Sequence, residues 1–294
     1  MIELRQLRQF VVVAEELHFH RAAQRLNMSQ PPLTAAIKKL EAEIGETLIV
    51  RGNRQNRLTA AGAALLEQAR TTLAHAQQCV TTTRDAARGL SGELRVGYVG
   101  SAMYGRLTAI IRAFRRAYPN IRLHLHEQTT ARQITSLRQG DIDLALVLPP
   151  IANKDDLSFA AFDTDRLALA LPSAHPLAAK PDLCVADMAK ASFVFWPGAE
   201  GRGFFRRAID LCLNAGFEPH IVQEAQQMHA VLSLVAAEAG VAIVPASMAS
   251  VRSEQIHYRA IDDPAAAFEL CWCWRADRDM PAATNFLALA HEMT

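Results

Sequence analysis

A short stretch near the amino terminus, SQPPLTAAIKKLEAEIG (29–45), holds side chains that could contact DNA. A glutamine amide can pair with adenine N6 and N7, while proline and a threonine methyl can touch a thymine methyl. Lysine and arginine bind backbone phosphates, and arginine also enters the minor groove. The residues offering these contacts are Gln30, Pro31, Pro32, Thr34, Lys38, Arg51, Arg54 and Arg57. The alternative is that they form a solvated helix face, and the three arginines of the basic loop argue against it.

A second group of residues could bind a small organic anion. Helix N-termini present free N–H groups and a positive partial charge, so two of them facing one cleft would attract a carboxylate. Ser101 and Thr130 add hydroxyl donors, Arg202 could form a bidentate pair, and Phe204 could cover an apolar body. The candidates are Gly100, Ser101, Ala102, Thr129, Thr130, Pro197, Arg202, Gly203 and Phe204. Helix capping alone would also explain serine and threonine at such positions.

Other groupings of reactive residues are incomplete. His124 and His126 alternate on a predicted strand, but no third metal ligand is evident, which favours an ordinary histidine pair. The glycines and serine of GYVGSAMYG match neither a nucleophile elbow nor a Walker loop. The five cysteines are odd in number and scattered, as in reduced proteins, and Cys271 and Cys273 alternate on one side of a strand. We therefore predict no cofactor, no metal and no enzymatic activity.

The charge is distributed unevenly along the chain. The 294 residues carry a net charge of only +1 and are half apolar, enough for one large domain or two to three medium ones. Residues 1–60 hold nine Lys and Arg against six Asp and Glu, which gives +3 there and −2 in the remainder. The start, MIELRQLRQF, is too charged for a signal peptide, and the longest apolar run is too short for a membrane span. These features indicate a cytoplasmic protein with a basic head.

The head shows the pattern of a winged helix-turn-helix. Apolar residues at helical spacing predict a first helix over about 4–17, with Leu4 on its packed side, and a short second helix over 20–26. Ser29 is a suitable N-cap for the next helix, which tolerates proline in its first turn and stops at Gly45. Its exposed face is predicted to include Glu41. An apolar segment at 48–50, a basic loop at 51–57 and a return at Leu58 form the wing. The second helix of such a motif enters the major groove.

A long helix without proline follows the head. Thr59 caps it, and it extends to about Gly89, roughly 45 Å at the helical rise. Its apolar residues alternate steps of three and four, as in a coiled-coil seam. The seam comprises Leu66, Ala69, Leu73, Ala76, Val80, Thr83 and Ala87. So narrow a seam needs a partner, which predicts a homodimer; the alternative is packing against the chain's own C-terminal body.

After Gly89 the pattern changes to alternating strands and helices, which predicts parallel sheets with helices on their faces. The pattern restarts once, so two halves with a cleft between them are expected, and ligands of such sheets bind beyond the strand C-termini. The predicted strands lie near 94–98, 121–127, 143–148, 193–196, 220–225, 241–245 and 269–274. The predicted helices lie near 107–118, 204–214, 228–238 and 281–293, and a further one contains Ile134 and Leu137.

The chain resembles the LysR-type transcriptional regulators over essentially its whole length. The head carries the specific match, from LRQLRQF through SQPPLT to LTAAG, and LRVGYVGS and LVAAEAGVAIVP follow in the body. VGSAMYG and GVAIVPAS look most like the branch that responds to muconate and benzoate-type acids. The resemblance implies an α plus α/β fold: a winged helix-turn-helix (1–58), a dimerisation helix (59–89) and a two-lobed, periplasmic-binding-protein-like effector domain (90–294). Its lobes would be 90–161 with 266–294, and 162–265.

The resemblance also implies functional residues. Base reading would fall to Gln30, Pro31, Pro32, Thr34 and Ala35, where Ala35 replaces a longer polar residue of many relatives. Effector binding would fall to Ser101, Thr130, Arg202, Gly203 and Phe204. Leu148 stands where the muconate-responsive branch has an arginine, which argues for an effector with fewer negative groups than a dicarboxylate.

The resulting hypothesis is a regulator that binds double-stranded promoter DNA, contacts RNA polymerase, and responds to a small organic acid. It would be a homodimer, with a homotetramer favoured. One rival is a solute-binding protein or enzyme built on the C-terminal body. Another is a regulator that senses oxidation through Cys184 and Cys212.

Overall fold

The computed structural model describes residues 1–52, 56–198 and 202–293, without the side chain of Arg202. Arg54, a predicted DNA contact, lies outside the described residues. The chain divides into two compact units, Met1–Asp85 and Ala86–Thr294. No helix within the described ranges is both long and apolar enough to cross a membrane.

The amino-terminal unit has the predicted winged helix-turn-helix architecture. Its elements are α1 (Leu4–Glu16), α2 (Phe19–Arg25), α3 (Gln30–Ile44), β1 (Ile49–Val50), β2 (Arg57–Leu58) and α4 (Ala60–Ala87). The two short strands pair antiparallel, with Ile49 opposite Leu58. The predicted positions of the three helices and of the wing are therefore confirmed.

The core of this unit forms where the apolar stripes of its helices meet. Phe10, Val13, Leu33, Ile37 and Leu40 are fully buried in a single cluster. Burial of each such side chain contributes about 1.5–3 kcal/mol relative to exposure. The prediction that Leu4 lies in the stripe is wrong, since it is 48 % exposed. It is the first residue of α1 and lies beyond the turns that pack on the core.

The start of α3 departs from the expected cap in one respect. Ser29 occupies the N-cap position, but its side chain makes no capping hydrogen bond. A serine cap normally accepts from the N–H of the second or third helical residue. In α3 those residues are Pro31 and Pro32, which have no N–H. The two prolines therefore start the helix by fixing the backbone and by removing donors that would need partners.

The wing is held to the helices by side chains that bond to its backbone. The Glu41 carboxylate accepts from the N–H groups of Leu48 (2.8 Å) and Ile49 (3.1 Å). Glu41 is half-buried, so the prediction that it belongs to the exposed face of α3 is wrong. The Asn56 amide donates to the Leu17 carbonyl at 2.9 Å. As predicted, Thr59 caps α4, since its hydroxyl oxygen accepts from the Gly62 N–H at 2.9 Å.

Helix α4 is 28 residues long and packs on the head only through its beginning. Leu65, Leu66 and Leu73 contact the head core, and Ala69 is buried in it. Farther along the predicted seam Val80 is 43 % exposed. The dimer predicted from this seam stays a prediction.

The carboxy-terminal unit alternates strands and helices as predicted, with two additional strands. Its strands are β3 (Gly92–Tyr98), β4 (Ile121–Glu127), β5 (Leu144–Val147), β6 (Leu157–Pro172), β7 (Ser192–Phe195), β8 (His220–Glu224), β9 (Ala242–Pro245), β10 (Ile256–Ala260) and β11 (Ala267–Arg275). Its helices are α5 (Leu107–Ala117), α6 (Thr130–Gln139), α7 (Arg202–Asn214), α8 (Met228–Ala236) and α9 (Pro281–Glu292). Strands β6 and β10 are not predicted by the sequence pattern.

The long strand β6 joins two sheets. Residues 157–166 pair antiparallel with β11, whereas residues 167–172 pair with β9 and β10. On the other side of β11 the sheet continues through β5, β3 and β4. Strand β3 is parallel to both β5 and β4. Strands β7 and β8 form a separate parallel pair. A bulge at Leu270/Cys271 interrupts the β6–β11 pairing, next to the predicted lobe boundary at residues 161 and 162.

Candidate DNA-reading surface and effector cavity

The predicted reading face of α3 lies on the outside of the amino-terminal unit. Gln30, Pro31, Pro32, Ala35 and Lys38 are exposed, whereas Thr34 is half-buried. Leu33, Ile37 and Leu40 point to the core from the opposite side. The exposed side of the helix therefore carries an amide, two rigid apolar rings and, six residues after the second ring, a cation.

The prolines also limit how the tip of α3 can bind a phosphate. A helix start normally leaves four N–H groups without partners inside the helix. Because Pro31 and Pro32 have no N–H, only Ser29 and Gln30 keep such donors at the start of α3. The tip of α3 therefore offers fewer backbone donors to an anion than an ordinary helix start.

The wing brings further basic residues to this unit. The Arg51 guanidinium lies over the Phe19 ring, 5.1 Å from its centroid, which links the wing to the first residue of α2. Arg57 is exposed on β2, opposite Val50. The described part of the wing thus adds two cations to this unit.

The carboxy-terminal unit contains a cavity of about 680 Å³. Six of the nine predicted effector residues line it: Gly100, Ser101, Thr129, Thr130, Gly203 and Phe204. Ala102 does not line it and is buried in the hydrophobic core, at 3 % exposed. Pro197 also lies outside the lining, and Arg202 begins α7 while its side chain falls outside the described residues.

One wall of the cavity concentrates hydrogen-bond donors. The Thr129 side chain is the cap of α6 and accepts from the Arg132 N–H at 3.4 Å. Thr130 is not the cap: its oxygen accepts from the Leu148 N–H at 3.1 Å, so its hydroxyl proton is available to a ligand. As the first two helical residues, Thr130 and Ala131 also offer N–H groups that α6 itself cannot use.

Ser101 completes this wall. Its side chain lines the cavity while the residue is only 6 % exposed. It lies inside a short 3₁₀ helix whose N-cap is Val99, so it does not cap that helix. Its hydroxyl makes no hydrogen bond to the residues that the structure describes. Although the residue is buried, its hydroxyl oxygen is open to the cavity, where it can donate to a bound ligand.

The opposite part of the cavity is aromatic and apolar. Trp196 and Phe204 line it with edge-to-face rings 5.9 Å apart, and Phe204 packs in turn on Phe268 at 4.9 Å. The start of α7 lies close to Leu148, since a Cβ built on Gly203 would be 3.1 Å from Leu148 Cδ2. This wall can cover an apolar body.

Sequence reasoning missed the charged residues of the cavity. Glu127, Arg132 and Arg138 line it. Arg138 is paired with Asp156, with Nε 2.8 Å from Oδ2, and this contact raises the pKa of Arg138 and lowers the pKa of Asp156. The helical spacing of α6 could have revealed Arg138, because it lies two turns beyond Thr130 on the same face.

The described side chains contain no group of three His, Cys, Asp or Glu placed to hold a metal ion. His124 Nε2 instead lies 3.7 Å from Glu93 Oε2. Of the cysteines proposed for redox sensing, Cys184 is exposed but Cys212 is fully buried, and burial raises the pKa of its thiol to about 12. Cys212 therefore lacks the thiolate character that a redox sensor needs.

The reactivity of the thiols tests which cysteines are exposed and which are buried. We expect Cys79 and Cys184 to react with a thiol reagent such as DTNB in the native protein, because both are exposed. Cys212 and Cys273 should react only after unfolding, since burial raises the pKa of each thiol to about 12. Labelling followed by peptide mass mapping would show this; rapid native labelling of Cys212 would contradict it.

Two family models match nearly the whole chain. Residues 4–63 match the bacterial regulatory helix-turn-helix protein, lysR family, and residues 87–294 match the LysR substrate binding domain. The chain belongs to the LysR family. A full-length relative, AlsR of Bacillus subtilis, is 36 % identical over 99 % of this chain and 96 % of its own length. YnfL of Escherichia coli K12 is 38 % identical over 97 % of this chain and 96 % of its own.

A solved LysR-family structure agrees with the architecture of this chain. Full-length CbnR in complex with its target DNA has a TM-score of 0.85 and 31 % identity, and the match covers 99 % of both chains. AlsR and YnfL are both named HTH-type transcriptional regulators. This LysR-family chain is therefore a DNA-binding transcription regulator with a substrate-binding domain, and not an enzyme.

Proposed function

We propose that this LysR-family regulator is controlled by a small effector that carries a carboxylate and binds in the cavity between its lobes. The observation that carries the proposal is the donor-rich wall, where the Ser101 and Thr130 hydroxyls and the first N–H groups of α6 line one cavity. Each donor would form a charge-assisted hydrogen bond with a carboxylate. The aromatic wall would cover the part of the molecule next to the carboxylate.

The effector would carry few negative groups. Arg138 is already paired with Asp156, and Glu127 adds a negative charge to the lining. Leu148 offers no charge where the muconate-responsive branch has an arginine. These features support a monocarboxylate. Placement in the muconate and benzoate branch, from VGSAMYG and GVAIVPAS, remains part of this proposal.

The effector would act by changing how the two lobes sit against each other. Strand β6 runs from one lobe into the other, so a ligand that contacts both lobes would shift the balance between open and closed forms. It can do so only if it binds one form better than the other. Isothermal titration of the full chain with benzoate and hexanoate tests the proposal. Failure of both acids to bind at millimolar concentration would contradict it.

We further propose the assignment of the promoter contacts. Gln30, Pro31, Pro32, Thr34 and Ala35 would contact base edges, while Lys38, Arg51, Arg54 and Arg57 would contact phosphates or the minor groove. The exposed face of α3 supports the first set. We also propose 1–58, 59–89 and 90–294 as the functional domains, dimerisation through α4, tetramer formation and a contact with RNA polymerase.

The Gln30→Ala variant tests the base-reading assignment. We expect promoter affinity to fall about 10- to 100-fold, because a bidentate amide–adenine pair contributes about 1–3 kcal/mol of discrimination. Affinity for random DNA should change little. Fluorescence anisotropy at one stated salt concentration would measure both. Lys39→Ala is the control, since Lys39 is exposed on α3 and faces Glu43, with Nζ 3.9 Å from Oε1. Equal losses on both DNAs in Gln30→Ala would contradict the assignment.

A further inference from the structure

The cavity continues well beyond the donor-rich wall, along one face of α6. Arg132 lines it, and so do five further residues of α6: Thr130, Ala131, Ile134, Thr135 and Arg138. Their spacing of one, four, five and eight residues from Thr130 places them on one side of the helix. At the helical rise, the distance from Thr130 to Arg138 is about 12 Å. The lining is therefore an elongated groove rather than a compact pocket.

The other side of this groove is formed by residues 150–153. Pro150, Ile151, Ala152 and Asn153 line the cavity beside α6, where Arg138 donates to the Asn153 carbonyl and Ile151 packs against the cluster that contains Ile134. With Ile134, the side chains of Pro150, Ile151 and Ala152 make the middle of the groove apolar. We call the channel between α6 (130–138) and residues 150–153 the α6 groove.

The two ends of the α6 groove differ in chemistry. The end at Thr130 has free hydroxyl and N–H donors. At the far end Arg138 donates to both carboxylate oxygens of Asp156, at 2.8 and 2.9 Å, and also to the Asn153 carbonyl. The positive charge of Arg138 is thus matched inside the protein. The far end has no net charge to attract a second carboxylate.

We propose that the effector is an extended monocarboxylate, whose carboxylate binds at Ser101 and Thr130 and whose apolar tail lies along the α6 groove. This inference rests on the proposed function, because it assigns a chemical class to the ligand of the same cavity. Tail length, rather than carbon number alone, then determines affinity. Each methylene group that enters the groove is removed from water, and this removal strengthens binding.

A series of linear acids tests the inference. Dissociation constants of acetate, butyrate, hexanoate and octanoate would be measured on the full chain by titration calorimetry. We expect affinity to rise about three- to fourfold for each methylene, the value for complete burial of that group. Heptanoate and benzoate carry equal numbers of carbons, so heptanoate should bind tighter by about tenfold because only it reaches into the groove.

Two variants of α6 separate groove binding from nonspecific binding of apolar tails. Thr135→Trp would fill the groove from an exposed position, and should remove the dependence on chain length while acetate binds as before. Gln139→Trp is the matched control, since Gln139 is exposed on α6 and does not line the cavity. Ala152→Trp fills the groove from the opposite side if Thr135→Trp lowers the melting temperature.

Each outcome separates this inference from the proposed function. Equal affinity for all chain lengths, together with weaker binding in Ser101→Ala, would overturn the extended ligand and leave the carboxylate site standing. A chain-length dependence unchanged by both groove-filling variants would also overturn it. If no acid binds at all, the proposed function itself fails.

Discussion

The Gly62→Ala variant is expected to lose promoter binding and to destabilise the amino-terminal unit. A Cβ at Gly62 would lie 2.1 Å from the backbone oxygen of Leu48, which no side-chain rotation can relieve. That oxygen also accepts from the Thr59 N–H at 3.0 Å, where the wing meets α4. We expect a loss of about 1–3 kcal/mol in the free energy of unfolding, as for overpacked cores, despite the better helix propensity of alanine.

Urea unfolding and DNA anisotropy would measure the two effects. Ala63→Leu is the control, because Ala63 is the next residue of α4 and is exposed. It adds a larger side chain to the same turn without meeting Leu48, so its stability and DNA affinity should stay near those of the original chain. Normal stability and normal promoter binding in Gly62→Ala would show that the wing does not depend on this close contact.

The Ser101→Ala variant is expected to weaken binding of carboxylic acids by about tenfold or more without destabilising the fold. The Ser101 residue is 94 % buried, and its hydroxyl has no partner among the described residues, so its removal leaves no protein group unsatisfied. A hydrogen bond to a charged group contributes about 1.5–3 kcal/mol, which the variant would lose in the complex. Calorimetric titration with hexanoate measures affinity, and thermal unfolding measures stability.

The comparison with Thr130→Val sharpens this prediction. Thr130→Val should weaken acid binding too, but it should also lower stability, because the Leu148 N–H would lose its acceptor. Ser101→Ala should weaken binding alone. If Ser101→Ala binds hexanoate normally while its melting temperature falls, Ser101 has a structural role and the carboxylate assignment is wrong.

The head could be predicted from sequence because its helices depend on local signals. Apolar spacing located α1 and α3, Gly45 ended α3, and Thr59 began α4. The errors concern contacts that connect distant residues. Glu41 has the spacing of an exposed residue, yet its carboxylate binds the backbone of β1, seven and eight residues later. No periodic pattern within α3 encodes that contact.

The body was predicted less completely because one strand has two environments. The first ten residues of β6 alternate half-buried and exposed positions, with only Leu157 and Phe162 buried, whereas its last six residues are all buried. No single pattern of burial therefore describes the whole of Leu157–Pro172, and the strand was missed. Its role in joining two sheets depends on pairing with β9, β10 and β11, which are distant in sequence.

The cavity was predicted where its residues follow strands. Ser101 and Thr130 come directly after β3 and β4, and both line the cavity. Ala102 follows the same strand but turns into the core, which only packing could show. The α6 groove was missed because Ile134 reads as an ordinary core residue of an amphipathic helix, and it is indeed almost buried, at 8 % exposed.

The central claim is that an acid bound in the cavity controls promoter binding by the head. The most direct measurement is anisotropy of the full chain on labelled DNA from its own upstream region, with and without hexanoate, at one stated salt concentration. We expect tighter binding to this DNA than to random DNA, and a shift in affinity with hexanoate that Ser101→Ala reduces. Equal affinity for both DNAs, or a hexanoate effect unchanged in Ser101→Ala, would contradict it.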